Sequence, residues 1–252
     1  MNSLQGHVAL VTGASHGIGS AVARLFAAEG AAVAVHGRDD RAVAALVDEL
    51  TASGGRAVGV VGDLGSPETV ARVVEEGEGA LGALTVLVAN AGHNPVPPGP
   101  IENVTLDQWR STMDANLTLT FLTVAAVLPG MKQRGRGSIV TVASAASRRP
   151  TAYTPVPYAA AKAGVEVFTR LVALQAGPHG VRANCVSPET ILTERNLRQI
   201  PQDTQASMAA GHPVQRLGTP EDVAAAVLYL AGDSAGWVSG VTLDVAGGSV
   251  LA

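Results

Sequence analysis

The chain has 252 residues, enough for one large domain or two small ones. Hydrophobic residues make up 47% and charged residues 15%, a balance that builds a sizeable core and excludes a chain too polar to fold. The net charge is −4 and the basic residues are scattered, with no long basic run, which argues against nucleic acid or an anionic membrane as partner.

The single cysteine, Cys185, excludes an internal disulfide and a cysteine-rich metal site, and no metal is expected. Met1 to Gly6 lack the positive flank and apolar run of a signal peptide, and no stretch of about 18 apolar residues occurs. The expectation is a soluble, cytoplasmic protein with no membrane contact.

Short apolar runs alternate with helix-patterned segments. His7–Thr12 reads as a buried strand, and Gly17–Glu29 as a helix with Ile18, Val22, Leu25 and Phe26 at helical spacing, ended by Gly30. Ala32–His36 is a second strand; Asp40–Ala52 is a helix with Val43, Leu46, Val47 and Leu50 on one face. Arg56–Val61 is a third strand, and Pro67 opens a third helix as a first-turn proline does. Further strands are expected at Leu84–Ala89, Ser138–Ala143, Val181–Val186 and Val241–Val245, with an apolar helix-like run over Met113–Leu128. The stretches His93–Pro100 and Pro188–Pro213 read as irregular. The alternation and the near-continuous apolar strands predict an α/β fold. Its doubly wound parallel sheet has about seven strands and helices on both faces, and residues 1–252 form a single domain.

The turn Thr12-Gly13-Ala14-Ser15-His16-Gly17-Ile18-Gly19 joins the first strand to the first helix. Glycines let a backbone approach a pyrophosphate, and the helix start offers free N–H groups and a positive dipole end. The spacing is G-x-x-x-G-x-G rather than G-x-G-x-x-G. Tyr158 and Lys162 are spaced i, i+4, on one face of a helix, where an ammonium lowers the pKa of a neighbouring phenol and makes it a proton donor or acceptor at a carbonyl or alcohol oxygen. Ser144 follows the fifth strand. Asn116 sits inside an apolar run and must be hydrogen-bonded if buried.

In these motifs the chain resembles the short-chain dehydrogenase/reductase family, in its group of about 250 residues with a Rossmann-type sheet. The resemblance rests on the Thr12–Gly19 turn, Asn90-Ala91-Gly92, the Tyr158-x-x-x-Lys162 signature, Asn184, Ser187-Pro188, Arg216-Leu217-Gly218 with Pro220-Glu221-Asp222-Val223, and Trp237-Val238-Ser239-Gly240, in order from His7 to the C-terminus. It implies a catalytic tetrad of Asn116, Ser144, Tyr158 and Lys162. Tyr158 would protonate a carbonyl oxygen as hydride arrives, and Ser144 would bond that oxygen. Lys162 would hold the nicotinamide ribose, and Asn116 would anchor a relay water. Cofactor contacts are implied for Gly13, Ser15, His16, Gly17, Ile18, Gly19, Arg38, Asp63, Leu64, Asn90, Ala91, Gly92, Tyr158, Lys162, Pro188, Ile191 and Thr193. Ser144 lies 14 residues before Tyr158 where many relatives have 13, and Ser147 is the alternative serine. Glu189 stands where the family has glycine after Pro188, and Ala246-Gly247-Gly248 replaces its Asp-Gly-Gly.

Gly37 takes the position of the acid that bonds a ribose 2′-OH in NAD-specific relatives, and leaves room there; Arg38 follows with a guanidinium suited to a 2′-phosphate. NADP(H) is the favoured cofactor, with NAD(H) as the alternative, in which case Arg38 is a solvated helix-start residue and Asp39 is an N-cap or the ribose acid. The implied activity is reversible hydride transfer between NADP(H) and a ketone or secondary alcohol, as in a carbonyl or beta-ketoacyl reductase. The alternatives are an NAD-dependent alcohol or sugar-acid dehydrogenase and a non-catalytic dinucleotide-binding protein. The expected partners are a small carbonyl or alcohol substrate and further copies of the chain in a homotetramer. Arg148 and Arg149 either recognise an anionic substrate or form a solvated or subunit-contacting pair.

Overall fold

In a computed structural model, residues 3–251 are described; Met1 and Asn2, part of the signal-peptide reading, and Ala252 lie outside the described residues. The chain forms β1 (Val8–Val11), α1 (Gly17–Ala28), β2 (Ala32–Gly37), α2 (Asp40–Ala52), β3 (Arg56–Val61), α3 (Pro67–Leu81) and β4 (Val86–Ala89). It continues through α4 (Leu106–Met113), α5 (Leu119–Arg134), β5 (Gly137–Val142), α6 (Val156–Ala176), β6 (Val181–Pro188), α7 (Glu194–Gln199), α8 (Gln202–Ala210), α9 (Pro220–Ala231) and β7 (Thr242–Val245). The seven strands make one sheet in the order β3-β2-β1-β4-β5-β6-β7, and every pair is parallel.

Alternation along each strand divides the core in two. Ala9 and Val11 of β1 point to the layer that holds Val22 and Phe26 of α1, Leu46 of α2 and Val227 of α9. Leu10 points to the opposite layer, with Val73 of α3, Val127 of α5 and Val172 of α6. Strand order reverses at β1, which pairs with β2 on one side and β4 on the other. The crossovers leave that point on opposite faces, which opens a crevice at the carboxyl ends of the strands.

Four expectations are corrected. The stretch Pro188–Pro213 is not irregular, because it contains α7, which Thr193 caps, and α8. The apolar run around Asn116 is not one regular helix: Asp114–Thr118 forms a π-helical turn between α4 and α5. Leu84 and Thr85 precede β4, and β6 runs two residues further than expected, to Pro188.

The loop before α9 is held by a capping box, in which Thr219 Oγ1 accepts from Asp222 N–H and Asp222 Oδ2 accepts from Thr219 N–H. Arg216 forms a two-pronged bond to the same carboxylate. That guanidinium, with the N–H of Thr219, holds the Asp222 carboxyl down from 3.8 to about 2. A carboxyl lowered in this way stabilises the fold above its ordinary value, and the contribution fades as pH falls toward about 2. After allowance for solvent around the pair, Asp222→Asn is expected to cost about 1 kcal/mol at pH 7, or about 2–4 °C in Tm. In thermal melts the gap between variant and parent should close as the buffer is taken below about pH 2.

Candidate active site

The turn after β1 folds back on the end of β4. Gly13 and Gly17 have φ of 63° and 57°. A Cβ on Gly13 would lie 3.0 Å from Ala91 Cα, and one on Gly19 would overlap the Gly13 carbonyl oxygen. Asn90 Nδ2 donates to the carbonyls of Thr12 (3.0 Å) and Gly13 (3.2 Å). Thr12 Oγ1 accepts from the N–H groups of Asn90 and Ala91, both at 3.0 Å. Thr12 is a bracing residue that sequence reasoning passed over.

His36 is another. Its Nδ1 accepts from Gly13 N–H at 3.3 Å, and its Nε2 faces the Gly62 carbonyl at 3.0 Å. Burial holds the ring below the ordinary histidine value. A neutral imidazole with one donor and one acceptor thus ties the ends of β1, β2 and β3 together. A buried histidine at a strand end was the available signal.

Helix α1 begins without a side-chain cap and has no acid in its first turn, whereas α2, α3, α4, α7 and α9 are each capped by Asp39, Ser66, Thr105, Thr193 and Thr219. Its first N–H groups are therefore left for an anion. Beside them lies a cleft of about 800 Å³, lined by Gly13, Ser15, His16, Arg38, Asp63, Leu64, Ala91 and Gly92 among others. The glycine cradle, the uncapped helix start and this volume fit a dinucleotide. Gly17, Gly19 and Asn90 lie behind the cleft and shape it, and Ile18 packs toward the α1 layer of the core. Ile191 is also buried in that layer, Pro188 ends β6, and Thr193 packs against Gly17.

The adenosine end corrects one expectation. Gly37 does not leave open room, since a Cβ there would meet Val43 Cγ2 at 2.8 Å and the Ser15 side chain at 3.1 Å. Glycine is demanded by packing, and a carboxylate at this position would displace its neighbours. Asp39 Oδ1 accepts from Ala42 N–H at 3.2 Å, which makes it the cap of α2. Arg38 is exposed on the cleft and forms no ion pair among the described residues.

The expected tetrad gathers at the ends of β4 and β5. Lys162 Nζ is buried, donates to the Val142 carbonyl at 2.8 Å and lies 5.7 Å from the Tyr158 ring centre. Burial pushes its pKa down to about 8. The expected lowering of the Tyr158 pKa by this ammonium is not what the structure gives. Burial holds the phenol above its ordinary value, and a hydrogen bond with Ser144 pulls it part of the way back. Such a phenol holds its proton at neutral pH. Asn116, in the π-helical turn, donates through Nδ2 to the carbonyls of His93 (2.7 Å) and Thr112 (2.9 Å), while its buried Oδ1 has no partner among the described residues. A Cβ on Gly92 would lie 2.8 Å from that oxygen and 3.5 Å from Lys162 Nζ, so glycine there keeps the amide and the ammonium close.

The two candidate serines differ in their partners. Ser147 Oγ is committed to the Ser144 carbonyl and to the Glu166 carboxylate. Ser144 Oγ accepts from Ala146 N–H at 3.2 Å, lies near the Tyr158 phenol and lines a second cleft of about 620 Å³. Arg148 turns inward, 3.5 Å from Asp244 and 3.9 Å from Glu166, and Arg149 donates to the Ser249 carbonyl beside the second cleft.

Residues 13–249 match a family model described as enoyl-(acyl carrier protein) reductase. The chain is 38% identical over 248 residues, 98% of each chain, to the (2S)-[(R)-hydroxy(phenyl)methyl]succinyl-CoA dehydrogenase subunit BbsD of Thauera aromatica. The chain belongs to the short-chain dehydrogenase/reductase family. Among solved structures of the family, a 3-oxoacyl-[acyl-carrier protein] reductase from Brucella melitensis with bound NAD superposes with TM-score 0.91 at 32% identity, covering 100% of this chain and 94% of the other. A putative NAD(P)-dependent gluconate 5-dehydrogenase from Beutenbergia cavernae, with NADP bound at low occupancy, gives TM-score 0.90 at 37% identity, with 98% of each chain covered. As a short-chain dehydrogenase/reductase, the protein is an oxidoreductase of alcohol and ketone groups that uses a nicotinamide dinucleotide.

Ser144→Ala is expected to lower kcat by about 100-fold on any ketone the parent reduces, the usual scale for one lost donor at a reacting oxygen. Ser147→Ala removes the hydroxyl donor to the Glu166 carboxylate and leaves Arg148 as its partner, which costs about 1 kcal/mol of stability, while turnover per folded molecule stays within a few-fold of the parent. Steady-state kinetics and melting curves on the two variants check the pair.

Proposed function

We propose that the protein is an NADPH-dependent reductase of ketones that also oxidises the matching secondary alcohols. The observation that carries this reading is Arg38, an exposed guanidinium with no ion pair on the dinucleotide cleft, beside His16 and with Asp39 occupied as a helix cap. A permanently charged planar fork suits the 2′-phosphate that distinguishes NADP from NAD.

When bound, the dinucleotide supplies or takes up the hydride. Tyr158, kept protonated by its burial, gives its proton to the carbonyl oxygen and takes one back in the oxidative direction. Ser144 steadies the same oxygen through a hydrogen bond. Lys162 has three donors, of which the Val142 carbonyl takes one; the others serve a ribose hydroxyl and a water that restores the tyrosine proton. The unpartnered Asn116 Oδ1 accepts from that water. The convergence of these four groups also disfavours a purely dinucleotide-binding role.

Further copies of the chain are the partners that best fit two exposed apolar faces. One is the stripe of Val167, Leu171 and Leu174 on α6 with Phe121 on α5; the other joins Tyr229 of α9 to Val241 and Leu243 at the open β7 edge. Two separate faces of this kind support a homotetramer.

Tyr158→Phe removes only the hydroxyl. It is expected to lower kcat by about 10²–10⁴-fold while the dissociation constant for NADPH, read by fluorescence titration, stays near that of the parent. Near-normal turnover would show that another group is the acid. Arg38→Ala is expected to weaken NADPH by about one to two decades and leave NADH nearly unchanged. Equal losses for both dinucleotides, or a parent that prefers NADH, would reverse the cofactor assignment.

A further inference from the structure

Glu189 follows Pro188 at the end of β6, where the family resemblance leads to glycine. Its carboxylate lines the same cleft as Ser144. One oxygen, Oε2, accepts from Thr190 N–H and lies 2.9 Å from His212 Nε2; the other, Oε1, accepts from Thr190 Oγ1 at 3.2 Å. His212 is buried and is itself oriented by the Met208 carbonyl, 2.8 Å from its Nδ1. A carboxylate has about four lone-pair positions for hydrogen bonds. Thr190 donates to this one twice, His212 Nε2 lies against Oε2, and the side chain remains 29% exposed.

The rest of the cleft is also polar. The Ser249 hydroxyl lines it, is shielded from water and has no partner among the described residues. Thr151, Thr154 and Asn196 also line it. A glycine at position 189 would give a substrate nothing to bond. A carboxylate already fixed on two sides offers an acceptor position without further ordering, and a ligand that fails to fill it forgoes that bond.

Resting on the carbonyl chemistry proposed above, we propose that Glu189 is a specificity-determining residue that accepts a hydrogen bond from a second hydroxyl of the substrate. The protein would then take compact polyols, hydroxylated rings and their ketones in preference to counterparts that lack that hydroxyl. His212 acts as a positioning residue, since it touches the carboxylate and not the reacting atoms.

The test is the ratio of kcat/KM for alcohols that differ by one hydroxyl, such as cyclohexane-1,2-diol against cyclohexanol and butane-2,3-diol against butan-2-ol, followed by NADP⁺ reduction. In the parent the ratio is expected to be about 10 to 100 in favour of the diol, the range for a hydrogen bond to a charged acceptor. Glu189→Gly should bring it close to one, mainly through a higher KM for the diol. Glu189→Gln, which keeps an amide oxygen and the side-chain shape, should give an intermediate ratio and serves alone if the glycine variant does not fold. His212→Ala should lower the ratio less than Glu189→Gly does. A parent ratio at or below one overturns the proposal, as does a ratio unchanged in the glutamine and glycine variants. A parent that binds the dinucleotide yet turns over no alcohol or ketone of either kind overturns the carbonyl reading itself, and this proposal with it.

Discussion

A parallel ladder cannot be closed by a hairpin, so each strand must be followed by a crossover that passes over one face of the sheet. In this chain the crossovers after β1 and β2 run outward to β3, and the chain then returns to place β4 on the other side of β1. That reversal separates the loops after β1 and β4 and leaves the crevice between them. The position of nearly every group described above follows from it. The Gly13 turn, the uncapped start of α1, the Asn90 brace and the Ala91-Gly92 wall are all carboxyl ends of strands that flank the reversal. Thr12 and His36 are the polar links that keep these ends in register, each satisfied by backbone partners from neighbouring strands.

Buried polar groups do the rest of the positioning. Lys162 is held by a strand carbonyl, Asn116 by two helix and loop carbonyls, and Ser147 by Glu166. Each would be expensive to leave unpaired in a core of low dielectric. The exceptions are therefore informative. Among the described residues Asn116 Oδ1, Ser187 Oγ, Asp244 Oδ1 and Ser249 Oγ are buried without partners; the first sits where the proposed chemistry places a water, and the last lines the cleft proposed for the substrate. The π-helical turn at Asp114–Thr118 serves the same end, since the extra residue per turn directs the Asn116 amide toward Gly92 and Lys162.

The segment after β6 joins the two clefts. Thr193 packs against Gly17 at the start of α1, Ile191 enters the core and pairs with Gly218, and Glu189 and His212 hold the far end of α8 near the strand end. This covering element has few apolar anchors of its own, because α7 and α8 contain no buried residue. Its position is set by the polar contacts at its two ends.

The sequence by itself determined the alternation of strands and helices, the turn with its glycines, and the pairing of Tyr158 with Lys162 on one helix face. These depend on local periodicity, on backbone freedom at a few positions and on i, i+4 spacing, all of which are written in neighbouring residues. Only the tertiary structure decided between Ser144 and Ser147, which lie three residues apart on one short loop and differ only once Glu166 of α6 arrives beside the second. It likewise decided that Gly37 is packed against Val43 and Ser15, that Arg148 turns inward to Asp244, and that burial raises the pKa of the Tyr158 phenol. Those outcomes rest on contacts between residues far apart in the chain and on the dielectric they create together, and no local pattern carries that information.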